Sequence, residues 1–323
     1  MKAPYGKIAK KTGLWLGLLL ISALAFDRIL YRALFPLYDR RSTLSGMNDE
    51  LEGFIIGSSQ TRWAVDGGVI SQRTKSRFAV FAPPGANLEL RSAMLRDYVE
   101  RFSDHPPSYI VLEGHPFSFH PTRYPDDAYK TLLGYRPRGI LRDYLSQRYG
   151  DDPLFQGTKV FHSLALNSEF YFLASAVVDL PIRAIRPVSE LPQEPDLPME
   201  TRIAQWRAYY AELKDRGAVD PRFVSAYADL MQVISRTGIP IIVLDLPIYR
   251  LDPQMEKDLS VGRRILQKDL PPNVHYVRFE ADRVENDPTY FYDASHLNAK
   301  GRAWLSEKLA DEITRTLAQS KSK

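Results

Sequence analysis

Phe54-Ile55-Ile56-Gly57-Ser58-Ser59-Gln60-Thr61-Arg62 is the stretch on which the fold of this chain turns. Leu51 to Ile56 is a short apolar run ending at Gly57, and a helix is expected to begin near Ser59. An apolar strand that turns sharply into a helix is the opening unit of an α/β sheet. A serine at that turn presents its hydroxyl at the carboxyl edge, where open α/β sheets hold their ligands. The same serine would serve equally as a plain helix N-cap, so it acquires meaning only with partners elsewhere in the chain.

The pattern repeats downstream. Phe78 to Ala82 reads as a second strand, followed by the loop Pro83-Pro84-Gly85-Ala86-Asn87 and a helix from Leu88 to Phe102. Tyr109 to Glu113 is a third strand. Glu200 to Leu213 and Pro221 to Arg236 read as helices, the second with Phe223, Tyr227, Leu230, Met231 and Ile234 as a core stripe at helical spacing. Ile239 to Pro247 carries a buried parallel strand, Met255 to Asp269 a helix, and Val274 to Phe279 a last strand whose alternating polar positions suit a sheet edge. Five strands alternating with helices predict a doubly wound, three-layer α/β/α parallel sheet of flavodoxin-like type. No internal repeat, Walker loop or Gly-x-Gly-x-x-Gly accompanies it, so nucleotide binding has no support.

Near the C-terminus stands Asp293-Ala294-Ser295-His296-Leu297-Asn298-Ala299-Lys300-Gly301, followed by an amphipathic helix from Arg302 to Leu317. An Asp and a His three residues apart at the start of a helix project into the same space. A carboxylate that fixes the tautomer of an imidazole is the orienting half of a nucleophile–base–acid arrangement, and Ser59 supplies the missing nucleophile. With Ser59 after the first strand and His296 after the last, a three-layer sheet can bring both to one carboxyl edge.

The paired motifs, Gly57-Ser58-Ser59 and Asp293-x-x-His296, resemble the SGNH (GDSL-like) hydrolase superfamily, over roughly Glu52 to Leu317. The Gly-Ser-Ser in place of Gly-Asp-Ser, behind an N-terminal hydrophobic segment, is similar to its membrane-anchored branch. That branch includes the D-alanyl transfer protein of teichoic acids and the alginate O-acetylation proteins. The resemblance implies Ser59, Asp293 and His296 as the catalytic residues and no cofactor. It also implies an oxyanion hole from the backbone of Ser59 and of Gly85, with Asn87 as a nearby side-chain donor. Gly85 suits a backbone approaching a ligand closely, but also any turn after two prolines. The superfamily has Gly-x-Asn-Asp after the third strand. Here Gly114-His115-Pro116-Phe117 puts Pro116 where the Asn would fall, leaving that donor unassigned. Arg62 would hold an anionic group of the substrate or pair with a carboxylate such as Asp66. His115 would face the cleft or be structural. His115 and His120 lack a clear third ligand, so no metal is expected.

At the other end, Lys2, Lys7, Lys10 and Lys11 precede the uncharged run Gly13 to Phe26. Positive charge stays on the cytoplasmic side, which predicts export of the remainder. Residues 1–37 are expected to form a cytoplasmic basic tip and a single-pass anchor in the cytoplasmic (inner) membrane, the helix continuing past Asp27 and Arg28. The alternative is a signal peptide cleaved near Ala25, since Ala23-Leu24-Ala25 is an Ala-x-Ala site. Residues 38–50 read as a linker and 51–317 as the α/β domain. Residues 121–199 would be a cap or insertion and 318–323 a tail.

The chain of 323 residues is 44% hydrophobic and 25% charged, the composition of an ordinary globular protein. A net charge of +4 spread along the chain gives no reason to expect nucleic-acid binding. The absence of cysteine excludes disulfides, thiol nucleophiles, cysteine-ligated zinc and a lipoprotein anchor. The expected function is extracytoplasmic serine-dependent acyl transfer, as an O-acyltransferase or an esterase. The expected partners are an acyl donor, a polysaccharide or other envelope polymer and, by the resemblance, a membrane-bound O-acyltransferase. Two rivals stand beside it: a non-catalytic accessory protein with the same fold, binding polymer or a membrane synthase, and a soluble cytoplasmic esterase, which requires the N-terminus to be a core helix.

Overall fold

The apolar runs do become strands. In the computed structural model, whose described residues are 5–120, 128–166, 198–215, 219–250 and 253–320, they form one five-stranded sheet. Its strands are β1 (Gly53–Ile56), β2 (Phe78–Phe81), β3 (Tyr109–Glu113), β4 (Ile241–Leu244) and β5 (Val274–Val277). All pairings are parallel and the order is β2-β1-β3-β4-β5. The alternation of side chains along each strand serves two hydrophobic layers. Phe54, Ile56, Ile110, Leu112, Ile241 and Val243 pack to one side, against helices α4 (Leu88–Arg101) and Pro221–Thr237. Ile55, Val111 and Ile242 pack to the other, against α3 (Gly67–Thr74) and the C-terminal helix Ala299–Ser320. The sheet is covered on both faces, which is why its central strands read as unbroken apolar runs.

The chain leaves β1 for β2 on one side and then crosses to β3 on the other. The carboxyl ends of β1 and β3 are therefore neighbours with divergent loops, the position where α/β sheets open a crevice. The ladder extends one residue beyond the strands at this edge: Gly57 donates to the Phe81 carbonyl (2.9 Å), Gly114 to Leu244 (2.8 Å) and Asp245 to Val277 (2.8 Å).

The N-terminal helix α1 runs from Tyr5 to Arg41, through Pro36. Within it Thr12–Asp39 is 28 residues long and holds an 18-residue window of mean hydropathy 1.8, long and apolar enough to span a membrane. Trp15, Leu16, Leu19, Ile21, Phe26 and Ile29 lie exposed along it. Asp27 interrupts the apolar pattern for a visible reason. Its carboxylate accepts from the amides of His162 (2.8 Å) and Ser163 (2.9 Å) and from the Ser163 hydroxyl (2.5 Å). It thereby clamps α1 onto the domain.

Residues 38–50, expected as a linker, contribute three hydrophobic side chains to the core. Tyr38, Leu44 and Met47 are buried, the Thr43 carbonyl accepts from Ala82 (3.0 Å), and the Tyr98 hydroxyl bridges the Asp49 carbonyl (2.7 Å) and the Leu51 amide (3.0 Å). The polar majority of the stretch hid three apolar side chains spaced to turn inward.

Of the expected cap, residues 128–166 form short helices, Ala128–Leu133, Gly139–Tyr149, Pro153–Val160 and His162–Leu166. These pack on α1 and α4 and seat the N-terminal helix. Residues 121–127 and 167–197 of that stretch lie outside the described residues.

Candidate active site

The turn after β1 is shaped by its glycine. A Cβ on Gly57 would stand 2.0 Å from Thr61 Oγ1 and 2.7 Å from Glu113 Oε2, so only glycine fits there. Helix α2 (Ser59–Ala64) starts directly after Ser58, the residue in the N-cap position, whose side chain makes no capping bond. The Ser58 hydroxyl turns instead to Glu113, 2.9 Å from Oε2, and its amide donates to the same oxygen at 2.6 Å. Ser59 is left with its hydroxyl directed the other way.

Its partner comes from the far end of the chain. Ser59 Oγ lies 3.1 Å from His296 Nε2, and His296 Nδ1 lies 2.8 Å from Asp293 Oδ2. Asp293 Oδ1 also accepts from the amides of Ser295 and His296, both at 2.8 Å, so the carboxylate is fixed by the backbone of the loop it serves. Burial works to raise the Asp293 pKa. The hydrogen bond and charge interaction with His296 and the two amides outweigh it and hold the carboxyl below its ordinary value of 3.8. An ionised Asp293 can only accept, so Nδ1 carries the proton and Nε2 offers its lone pair to the Ser59 hydroxyl. This arrangement can take a proton from the serine oxygen and return it.

The rest of the distal motif is scaffolding. Leu297 is buried and bridges to Phe291. Asn298 Oδ1 accepts from the Gly301 amide (3.0 Å) at the start of the C-terminal helix, while its Nδ2 donates to the Thr289 carbonyl (2.9 Å). A Cβ on Gly301 would come within 2.3 Å of the Tyr290 carbonyl. Each of these fixes the loop that aims His296.

Glu113, at the end of β3, is the residue that sequence reasoning passed over. Its side chain is fully buried and takes bonds from Ser58, from Thr61 Oγ1 (2.7 Å) and from Arg91 Nη1 (2.9 Å). Burial pushes its pKa up, but the Arg91 charge, with help from His115 and the donors of the serine turn, holds it below its ordinary value. A carboxylate closing an otherwise apolar strand was the available signal. Its partner on the neighbouring strand end was not visible without the sheet order.

The aromatic wall of the site was also missed. Trp63, one turn along α2, lies 4.6 Å from the Tyr292 ring and 5.4 Å from the His296 ring, centroid to centroid. Arg202, on the helix Met199–Asp215, donates to the Tyr292 carbonyl. Trp206 of the same helix meets Phe117 of the turn after β3 at 6.5 Å. That helix therefore borders the site.

The remaining expected residues are placed as follows. Arg62 is half-buried on α2. Asp66, its suggested partner, caps Gly67–Thr74 through the Gly68 amide (2.9 Å) and pairs with Arg302 (3.6 Å). Gly85 sits in an exposed turn at φ 77, a left-handed conformation natural to glycine. Asn87 uses Oδ1 to cap α4 through the Leu90 amide (2.9 Å). Pro116 opens a short 3₁₀ turn, Pro116–Phe119, and contributes no side-chain donor. At another strand end, with no role expected of it, Asp245, after β4, is buried in an ion-pair network, accepting from Arg263 (2.9 Å) and Tyr276 (2.5 Å).

His115 is buried, at 1% exposure, and its Nε2 has no hydrogen-bond partner among the described residues. Burial pushes its imidazole down to about 4 from 6.5. The Glu113 carboxylate opposes this, and the charges of Arg91, His296 and Arg263 reinforce it. The unfolded chain takes this proton near pH 6.5, while the native chain resists until about pH 4. Between those values the unfolded state binds more protons, so stability falls as pH falls, by roughly 3 kcal/mol across the window. Urea unfolding in mild detergent at pH 7 and pH 5 should show about 2 kcal/mol of this loss, and His115→Gln should flatten it. An unchanged slope in the variant would place the acid sensitivity elsewhere.

No protein-family model matches this chain, and no curated protein matches it.

Proposed function

We propose that this chain is a membrane-anchored serine acyl-transfer enzyme of the SGNH type, with a flavodoxin-like sheet and Ser59, His296 and Asp293 as its catalytic triad. The continuous line of hydrogen bonds from Ser59 Oγ to His296 (3.1 Å) and on to Asp293 (2.8 Å) carries the reading. Two residues separated by 237 positions meet at hydrogen-bond distance at the carboxyl edge. The strand order β2-β1-β3-β4-β5 supports it, being the flavodoxin-like order.

Ser59 attacks an ester carbonyl while His296 takes the hydroxyl proton, and Asp293 stabilises the imidazolium. The oxyanion forms beside the Ser59 amide, at the first residue of α2, with the Gly85 amide as the second donor that the resemblance implies. Collapse of the tetrahedral intermediate expels the donor alcohol, which receives the proton from His296. The acyl-serine then passes to a polymer hydroxyl or to water. The membrane-length stretch Thr12–Asp39 and the lysines that precede it favour a domain held outside the cytoplasm, acting on an envelope polymer with a membrane-bound acyltransferase as donor partner. Asp27 is held to the domain by the His162 and Ser163 amides, so cleavage near Ala25 would leave that clamp in the product.

The test is labelling of the full-length protein with a fluorophosphonate probe, which requires an activated serine. Labelling is expected in the native chain and absent in Ser59→Ala. A folded native protein that resists the probe would overturn the enzymatic reading. It would favour the accessory protein instead, for which Pro116, lacking the side-chain donor of the superfamily, is the observation.

A further inference from the structure

A cavity of about 330 Å³ lies away from Ser59, between α1, α4 and the turn that leads into Gly139–Tyr149. Tyr31, Asp97, Arg101, Tyr135, Arg136 and Arg138 are among its lining residues. Three guanidinium groups therefore face one carboxylate, and that carboxylate is already engaged. Asp97 pairs with Arg101 (2.7 Å) and accepts from the Leu141 amide (3.3 Å). The two hydroxyls are occupied as well, Tyr31 donating to the Gly134 carbonyl (2.8 Å) and Tyr135 to Asp39 (2.8 Å). Among the described residues no carboxylate pairs with Arg136 or Arg138.

Arg136 is held in a conformation that arginine seldom adopts. Its φ is 52, in the left-handed region, with the guanidinium 5.8 Å from the Tyr31 ring centroid. Residues kept in sparsely populated conformations concentrate at ligand clamps. Partial burial, and then the crowding of Arg28, Arg138 and Arg32, keep its pKa below the ordinary arginine value. The cluster is a concentration of positive charge with few internal counter-charges.

Its position names the ligand. Tyr31 belongs to the membrane-length segment Thr12–Asp39 and follows Ile29, which ends the run of strongly exposed large hydrophobics that begins at Leu14; Leu37, further along, is only 37% exposed. The cavity is thus level with the end of the apolar stretch, where lipid headgroups begin. Planar guanidinium groups match phosphate oxygens in paired hydrogen bonds.

We propose that this cavity binds the phosphoryl headgroup of an anionic membrane phospholipid through Arg136 and Arg138. The site is independent of the acyl-transfer reading and rests on α1 lying in a membrane. It fixes the depth and rotation of the domain on the bilayer.

The experiment uses the full-length protein in a neutral detergent, titrated with phosphatidylglycerol and read by native mass spectrometry. The expected result is retained phosphatidylglycerol in the native chain and at least about tenfold weaker retention in Arg136→Asn/Arg138→Gln. Asparagine tolerates the left-handed backbone at position 136, so the loss reports the charge rather than the turn. Arg73→Gln, on the opposite helix layer and paired with Asp311, should bind as the native chain does. If the double variant is misfolded by circular dichroism, Arg136→Lys/Arg138→Lys replaces it. That variant keeps the charge, loses the planar fork and should retain lipid at an intermediate level. Equal retention in native and variant chains overturns the proposal. So does displacement of the lipid by an equal concentration of inorganic phosphate, which would make the cavity a site for soluble phosphate.

Discussion

Hydrolysis of p-nitrophenyl acetate is expected to fall about 10⁴-fold or more when His296 is replaced by alanine, and by a similar factor in Asp293→Asn. The two losses have different physical origins. His296→Ala removes the base within reach of Ser59 Oγ, 3.1 Å away. Asp293→Asn leaves the loop standing, because an asparagine Oδ1 can still accept from the Ser295 and His296 amides, now at 2.8 Å. What changes is the tautomer. The amide NH₂ facing Nδ1 forces the imidazole proton onto Nε2, which then presents a donor to the serine where a base is needed. The double variant Ser59→Ala/His296→Ala should be no worse than either single change, since the groups act as a unit. Turnover within tenfold of native in either single variant, with the protein folded, would remove the triad from the mechanism.

The sheet was legible because its strands are buried on both faces and so are continuously apolar. Tyr109–Glu113 and the stripe of Pro221–Thr237 could be read almost to the residue. The distal motif was legible for another reason. Asp293, His296, Asn298 and Gly301 are constrained by local geometry, with partners within about a dozen residues or in contact across one turn. Groups whose meaning depends on two distant strand ends were not legible. Glu113 looks like an ordinary strand terminus until β3 is seen beside β1. Tyr38, Leu44 and Met47 were hidden in a polar stretch, and the docking of Asp27 on His162 and Ser163 joins positions 135 and 136 residues apart. Trp63 and Tyr292 meet only because Ser59 and His296 do.

Ser58 is tied to a residue at the end of another strand. The superfamily to which the motifs are similar carries Asp at this position. Here the side chain lies 2.9 to 3.0 Å from both oxygens of a buried glutamate. A second carboxylate there would face Glu113 at contact distance, whereas a hydroxyl donates to it. Serine at 58 and glutamate at 113 are thus a complementary pair, with Arg91 as the counter-charge.

Glu113→Ala is accordingly expected to lower the unfolding free energy by about 3–5 kcal/mol, a large share of a typical domain's stability. The loss comes less from the attraction removed than from what is stranded. Arg91, only 5% exposed, would keep its charge with one partner gone, and the Ser58 amide and Thr61 hydroxyl would lose their acceptor. Glu113→Gln separates charge from shape. It keeps the volume and one oxygen but turns an amide NH₂ toward groups that are themselves donors, and it should recover only part of the loss. The pH dependence supplies the sign. The native Glu113 pKa lies below its ordinary 4.5, so its contribution is fully present above that value and disappears as pH falls through the native pKa. That acid-side loss should be missing from both variants. Because the Ser58 turn carries Ser59, turnover should fall even in molecules that remain folded. Urea unfolding in mild detergent, compared with fluorophosphonate labelling of the same samples, separates the two effects. A loss of stability under about 1 kcal/mol in Glu113→Ala would show that water replaces the carboxylate, and that the serine turn is held by Gly57 and α2 alone.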